Sequence, residues 1–134
     1  MATRSVIAKL DDKGVKAIYC HSDGYLSNNG KILDQHYTDC SKLNELLADG
    51  DISSLKDTIK DTIFYNRDRG EKTLTAILKD EKELLEHAFE YCDAEYVYMF
   101  AYGTWYVYDN SNAIGDSSYQ FIELDEALYT VYKS

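Results

Sequence analysis

The sequence predicts an α+β domain. An antiparallel sheet, made of an N-terminal hairpin and a C-terminal aromatic hairpin, packs against helices on one face. Three observations support this. Patterned segments run in the order strands, helices, strands, which segregates the two element types along the chain. Both ends are rich in β-branched and aromatic residues, whereas the middle carries apolar residues at helical spacing. The 134 residues, 45% of them hydrophobic, suffice for one buried core and no more, so residues 1–134 form a single domain.

Ser5 to Leu10 and Val15 to Cys20 alternate as strands around Asp11-Asp12-Lys13-Gly14, where Gly14 supplies the positive φ of a tight turn. His21 to Gly30 is a polar loop of turn formers. Ile32, Leu33, His36 and Tyr37 share a helical face over 31–37. Ser41 is placed to cap a helix lined by Leu43, Leu46 and Leu47, and Gly50 to end it. Ile52, Leu55, Ile59 and Ile63 fit a further helical period, and Thr73 to Leu78 favours a strand. Asp80 and Glu83 have capping-box spacing ahead of an apolar face of Leu84, Leu85, Ala88, Phe89 and Cys92. Tyr96 to Ala101 and Thr104 to Asp109 form a hairpin about Tyr102-Gly103. A loop over 110–118, a strand over 119–122 and a helix over 124–132 complete the chain.

The formal net charge of −10 opposes direct binding of nucleic acid, which needs clustered Lys and Arg, and docking on an anionic membrane. Charge and aromaticity concentrate together. From Asp93 onward the acids Asp93, Glu95, Asp109, Asp116, Glu123, Asp125 and Glu126 face one base, Lys133, in a stretch that also holds the sole tryptophan. Such a surface suits a basic protein partner. Cys20, Cys40 and Cys92 are odd in number and lack a C-x-x-C pair, which favours a reducing cytoplasm over a disulfide framework. The N-terminus has no signal-peptide pattern, and no apolar run reaches spanning length. The expected location is therefore cytoplasmic.

Two polar segments could hold a small ligand. His21 and Asp23, two apart after a strand, can face one way as an acid–base pair with Tyr25 nearby; the same composition also makes an ordinary Asx-type turn. In Arg67, Asp68, Arg69 and Glu71, alternating charges let the two arginines aim at a phosphate or carboxylate, or else neutralise one another's neighbours on a surface loop. Cys20, His21, His36 and Cys40 have the residue types of a zinc site without its standard spacing, so no metal is expected. No nucleophile elbow, P-loop or dinucleotide fingerprint occurs; no cofactor and no catalytic residue is assigned. The aromatic strip Tyr96, Tyr98, Tyr102, Trp105, Tyr106 and Tyr108 is the candidate protein interface, because Tyr and Trp are favoured there. An uncovered tyrosine face would also permit a homodimer.

Several segments together resemble a group of small bacteriophage and prophage proteins. They are Thr3 to Ala8, Ala17 to Tyr25, Asn29 to Leu33 with His36-Tyr37, Gly50 to Leu55, and Phe64 to Glu71, and the resemblance covers most of residues 3–109. It implies a phage setting and a bacterial host cell, not a mechanism. Two functions stay open. The first is a small acidic accessory protein that binds and inhibits a host protein, such as an antiviral defence factor, with imitation of DNA by its carboxylates as a sub-case. The second is a nucleotide-type ligand-binding protein or enzyme using the His21-Asp23-Tyr25 and Arg67-Arg69 segments.

Overall fold

The computed structural model describes residues 3–73, 75–110 and 121–133, the last four of these by backbone alone. Strands β1 (Ser5–Asp11) and β2 (Gly14–Cys20) form the first hairpin, in register from Ser5 opposite Cys20 to Asp11 opposite Gly14. Strands β6 (Tyr96–Ala101) and β7 (Thr104–Asp109) form the second, turning at Tyr102 and Gly103. Both residues of that turn have positive φ, as the twist of a tight hairpin demands.

Between the hairpins lie α1 (Lys31–His36), α2 (Cys40–Ala48), β3 (Ile52–Ser54), β4 (Ile63–Phe64), α3 (Tyr65–Arg69), β5 (Ala76–Leu78) and α4 (Glu81–Glu90). β8 (Ile122–Glu123) and α5 (Leu124–Lys133) follow. A π-helical turn over Leu26–Gly30 leads into α1. The eight strands make one sheet in the order β4-β3-β2-β1-β6-β7-β8, with β5 beside the first half of β2.

The α+β class stands, and the architecture differs from expectation in two details. The hairpins are antiparallel within themselves but join in parallel, with Ser5 opposite Tyr96 through Leu10 opposite Ala101. β2 and β3 are also parallel. Long connections containing helices allow strands to re-enter in the same direction, which a short turn cannot do. Helices also cover both faces. α1, α2 and α5 bury Leu33, Leu43, Leu46, Leu47, Leu124 and Leu128 against Ile7, Ile18, Tyr98, Phe100 and Trp105. α4 buries Leu84, Leu85 and Ala88 against Val6, Ala8, Val15, Ala17, Val97 and Met99 on the opposite face.

Local signals explain most element ends. Asp80 Oδ1 accepts from the Glu83 amide at 3.1 Å, while Glu83 Oε1 reaches back to the Lys79 amide, so the cap closes on the residue before the expected one. Gly50, with φ of 82°, follows the end of α2. At the start of α2 the cap is Asp39, not Ser41: Asp39 Oδ1 accepts from the Ser41 amide at 2.9 Å.

The helix expected over Ile52 to Ile63 is absent. Ile52 is instead a fully buried strand residue beside Cys20. The buried Thr62 folds the intervening chain into a turn, its Oγ1 donating to Thr58 O at 2.9 Å and accepting from the Lys56 amide at 3.0 Å. Side-chain hydrogen bonds of this kind compete directly with a helix. The loop expected over 110–118 and the start of the strand expected over 119–122 lie outside the described residues except at Asn110, Phe121 and Ile122.

Candidate functional site

The first candidate loop extends the sheet. The amides of His21 and Ser22 donate to Ile52 O and Ser53 O at 3.1 and 3.0 Å, continuing the β2–β3 pairing. His21 turns to Tyr19, with Nδ1 2.7 Å from the phenol oxygen, and Tyr19 in turn accepts from Arg4 Nε at 3.1 Å. Asp23 sits at φ of 56°, and its carbonyl accepts from the Asn29 amide and Asn28 Nδ2. Its carboxylate does not pair with His21, so the acid–base pair is not assembled. Tyr25 stands exposed at the entry to the π-turn. The Asx-type turn is not formed by the Asp23 side chain either: the Asp23 carbonyl, not its carboxylate, accepts the local hydrogen bonds.

The second candidate loop is a helix. Because Arg67 and Arg69 are two apart on α3, they diverge instead of aiming together. Arg67 is a structural clasp: Nη1 donates to Ile59 O at 2.8 Å, and Nη2 to Lys60 O at 3.1 Å and Thr62 O at 2.6 Å. Its guanidinium lies 4.4 Å over the Phe64 ring and bonds Asp68 through Nε and Nη2. The bond from Arg67, together with the Phe64 amide, holds the Asp68 carboxyl below the usual carboxylate range. Arg69 lies 5.4 Å over Tyr65 and reaches Ser53 Oγ at 3.5 Å, and Glu71 is exposed. The two segments thus approach each other through Ser53, with Arg67 committed elsewhere.

The aromatic strip is largely core. Tyr98 is 0% exposed and donates to Gly24 O at 2.6 Å; Trp105 Nε1 donates to Tyr37 O at 3.0 Å; Tyr108 packs on Phe89. Tyr96 and Tyr106 are half-buried, and Tyr102, 79% exposed, is the member left at the surface. Among the described residues, helices lie on both sheet faces, over Tyr98 on one and Tyr108 on the other. The zinc-type residues are likewise separated. Cys20 is buried and donates to Ser22 O, His36 faces Asp57 at 3.6 Å, and Cys40 is exposed. Among the described residues, no cluster of three His, Cys, Asp or Glu side chains is placed to hold a metal.

Two other features emerge, one on each flank of α4. On one flank runs a groove of about 850 Å³ whose floor is Leu10, Leu85 and Phe89. Its rim carries the carboxylates of Asp80, Glu81, Glu86 and Glu90 against a single ammonium, Lys82. A continuation past Leu10 and Glu81 is lined by Met99, Ala101, Tyr102, Tyr106 and Phe121. The acidic rim was legible in the sequence: Glu81, Glu86 and Glu90 flank the apolar stripe of this helix at near-helical spacing.

On the other flank lies a cavity of about 490 Å³ lined by Arg4, Tyr19, Asp51, His87, Tyr91 and Cys92 among others. Burial raises the Asp51 carboxyl against the opposing effect of the Tyr19 amide, which donates to Oδ1 at 2.9 Å. Cys92 Sγ lies 3.6 Å from His87 Nε2, yet burial, reinforced by Asp51, pushes its thiol up to about 11. A thiol so protonated at neutral pH is no ready nucleophile. No helix among the described residues is long and apolar enough to cross a membrane. Neither a protein-family model, nor a curated protein, nor a solved structure matches the chain.

Proposed function

We propose that this chain acts by binding a protein partner, taking a basic segment with an apolar anchor into the acid-rimmed groove along α4. In the phage setting that the sequence resembles, the partner is a host protein, such as a component of antiviral defence, and binding in the bacterial cytoplasm disables it. One observation carries the reading: among the described residues, a groove with an apolar floor of Leu10, Leu85 and Phe89 runs between four carboxylates in a chain of net charge −10. An apolar centre with a charged rim is the anatomy of a protein interface, and the single sign of charge selects and steers a basic partner. The groove replaces the tyrosine strip as the docking surface, since Tyr98, Trp105 and Tyr108 are buried.

The nucleotide alternative loses its main cation, because Arg67 spends its donors on backbone carbonyls and Asp68. The test is affinity capture from bacterial lysate with the parent chain and with a Glu86→Lys, Glu90→Lys variant, read by mass spectrometry. The expected result is a basic protein retained by the parent and lost by the variant at unchanged thermal midpoint. Equal retention of the same proteins by both chains sinks the proposal.

A further inference from the structure

His87 and Tyr91 stand one turn apart on the flank of α4 opposite the groove, so the cavity they line is a separate feature. Its charges are unevenly matched. Arg4 and Asp93 satisfy one another, Nη1 to Oδ2 at 3.2 Å, and Arg4 Nε is engaged by Tyr19. Asp51 is fixed by its backbone, with its amide donating to Thr73 Oγ1 at 3.1 Å and its carbonyl accepting from the Tyr65 amide at 3.2 Å. Its Oδ1 holds the Tyr19 amide. Among the described residues no guanidinium or ammonium pairs with its carboxylate. Around it stand the rings of Tyr19, His87 and Tyr91, the last two 5.8 Å apart between centroids.

We propose that this cavity is a binding site for a small molecule carrying a protonated amine, with the ammonium against Asp51 and the carbon chain along the Tyr19 and Tyr91 rings. A half-buried carboxylate with no guanidinium or ammonium paired to it, and only the His87 imidazole favouring its charge, is costly, and a bound cation relieves that cost. Aromatic faces attract cations through their quadrupole. At about 490 Å³ the cavity falls within the range of small-molecule sites. Anions are disfavoured, because the Asp51 carboxylate faces the cavity and the one guanidinium lining it is shared with Asp93 and Tyr19. The inference rests on none of the groove's residues and survives if no protein partner exists.

The experiment titrates the full chain with putrescine and follows the ring resonances of His87 and Tyr91 by NMR. Butyrate serves as the charge-reversed control, and Nα-acetyl-lysine methylamide as the same ammonium borne by a polypeptide. Asp51→Asn keeps the oxygen that accepts from the Tyr19 amide while removing the charge, and Tyr91→Ala alters a ring that is 79% exposed. Putrescine is expected to produce saturable shifts, butyrate none. Loss of the charge-assisted contact in Asp51→Asn is expected to weaken binding about tenfold or more. Tyr91→Ala is expected to weaken it less; should Asp51→Asn fail to fold, this exposed-ring variant carries the test. An undiminished response in both variants, a response to butyrate, or no saturable shift at all overturns the site. Tighter binding of the lysine derivative than of putrescine overturns its assignment to a small molecule.

Discussion

Tyr98 belongs by sequence to the candidate interface and by structure to the core, and Tyr98→Phe separates the two. The change keeps the ring, which is 0% exposed beneath the helices, and removes one hydroxyl. That hydroxyl donates to Gly24 O at 2.6 Å and ties the loop after β2 to the centre of the sheet across 74 positions of sequence. The acceptor is then left buried without its donor, which costs about 1–3 kcal/mol. At this chain length that corresponds to a fall in thermal midpoint of roughly 3–15 °C. Urea denaturation followed by fluorescence reads the loss directly, because Trp105 is the sole tryptophan and is itself buried, with Nε1 bonded to Tyr37 O. Tyr102→Phe is the control, at a ring 79% exposed, and should leave the midpoint unmoved. If Tyr98→Phe changed stability by less than about 0.3 kcal/mol, within the range of ordinary surface substitutions, the hydroxyl would not be buried against Gly24 and the strip would again be an available surface.

Three further outcomes follow. Arg67→Ala frees the carbonyls of Ile59, Lys60 and Thr62, so it should lower the thermal midpoint and expose the 59–62 turn to proteolysis; a variant as stable as the parent contradicts the clasp. Asp51 titrates above the ordinary carboxylate range because burial outweighs the Tyr19 amide and the neighbouring His87. The folded state therefore binds this proton more tightly than the unfolded state. Stability falls as pH rises from about 3.9 through the raised value and stays lower beyond it. Asp51→Asn should remove that slope and be no less stable than the parent at neutral pH, as measured by chemical denaturation across pH; an unchanged slope refutes the assignment. Alkylation by iodoacetamide at pH 8 should modify the exposed Cys40 first, because burial pushes both Cys20 and Cys92 up to about 11. Preferential labelling of Cys92 would mean that its contact with His87 generates a thiolate after all.

What could be read from the sequence was what neighbouring residues decide. Both hairpins, the Asp80 cap, the apolar face of α4 and the C-terminal helix rest on local alternation or helical period, and the structure has them close to the expected bounds. The parallel joint of β1 to β6 depends on segments about ninety positions apart, a distance over which no sequence period reports. Ile52 to Ile63 had helical spacing, but pairing of Ile52 beside Cys20 and the buried Thr62 turn override it. In the sequence the two arginines fit either joint aim at an anion or a self-neutralising surface loop; on α3 their spacing sends them apart.

The aromatic strip alternates, with Tyr96, Tyr98 and Phe100 on one side and Val97, Met99 and Ala101 on the other. Composition could not say that both sides are covered. The groove was half visible, in the carboxylates flanking α4, but its floor needs Leu10 from β1. The cavity at Asp51 gathers Arg4, Tyr19, Asp51 and His87 from four separate parts of the chain, so no motif announces it.

The most direct test of the groove as the docking surface is site-specific photo-crosslinking in bacterial cells. Benzoylphenylalanine is placed at Glu86 on the rim of the groove, and, as a control, at Glu45, exposed on α2 across the sheet. Irradiation should yield a discrete adduct with a basic host protein from position 86 and none from position 45. An adduct from position 45 alone, or from neither position while partner capture succeeds, would contradict the account.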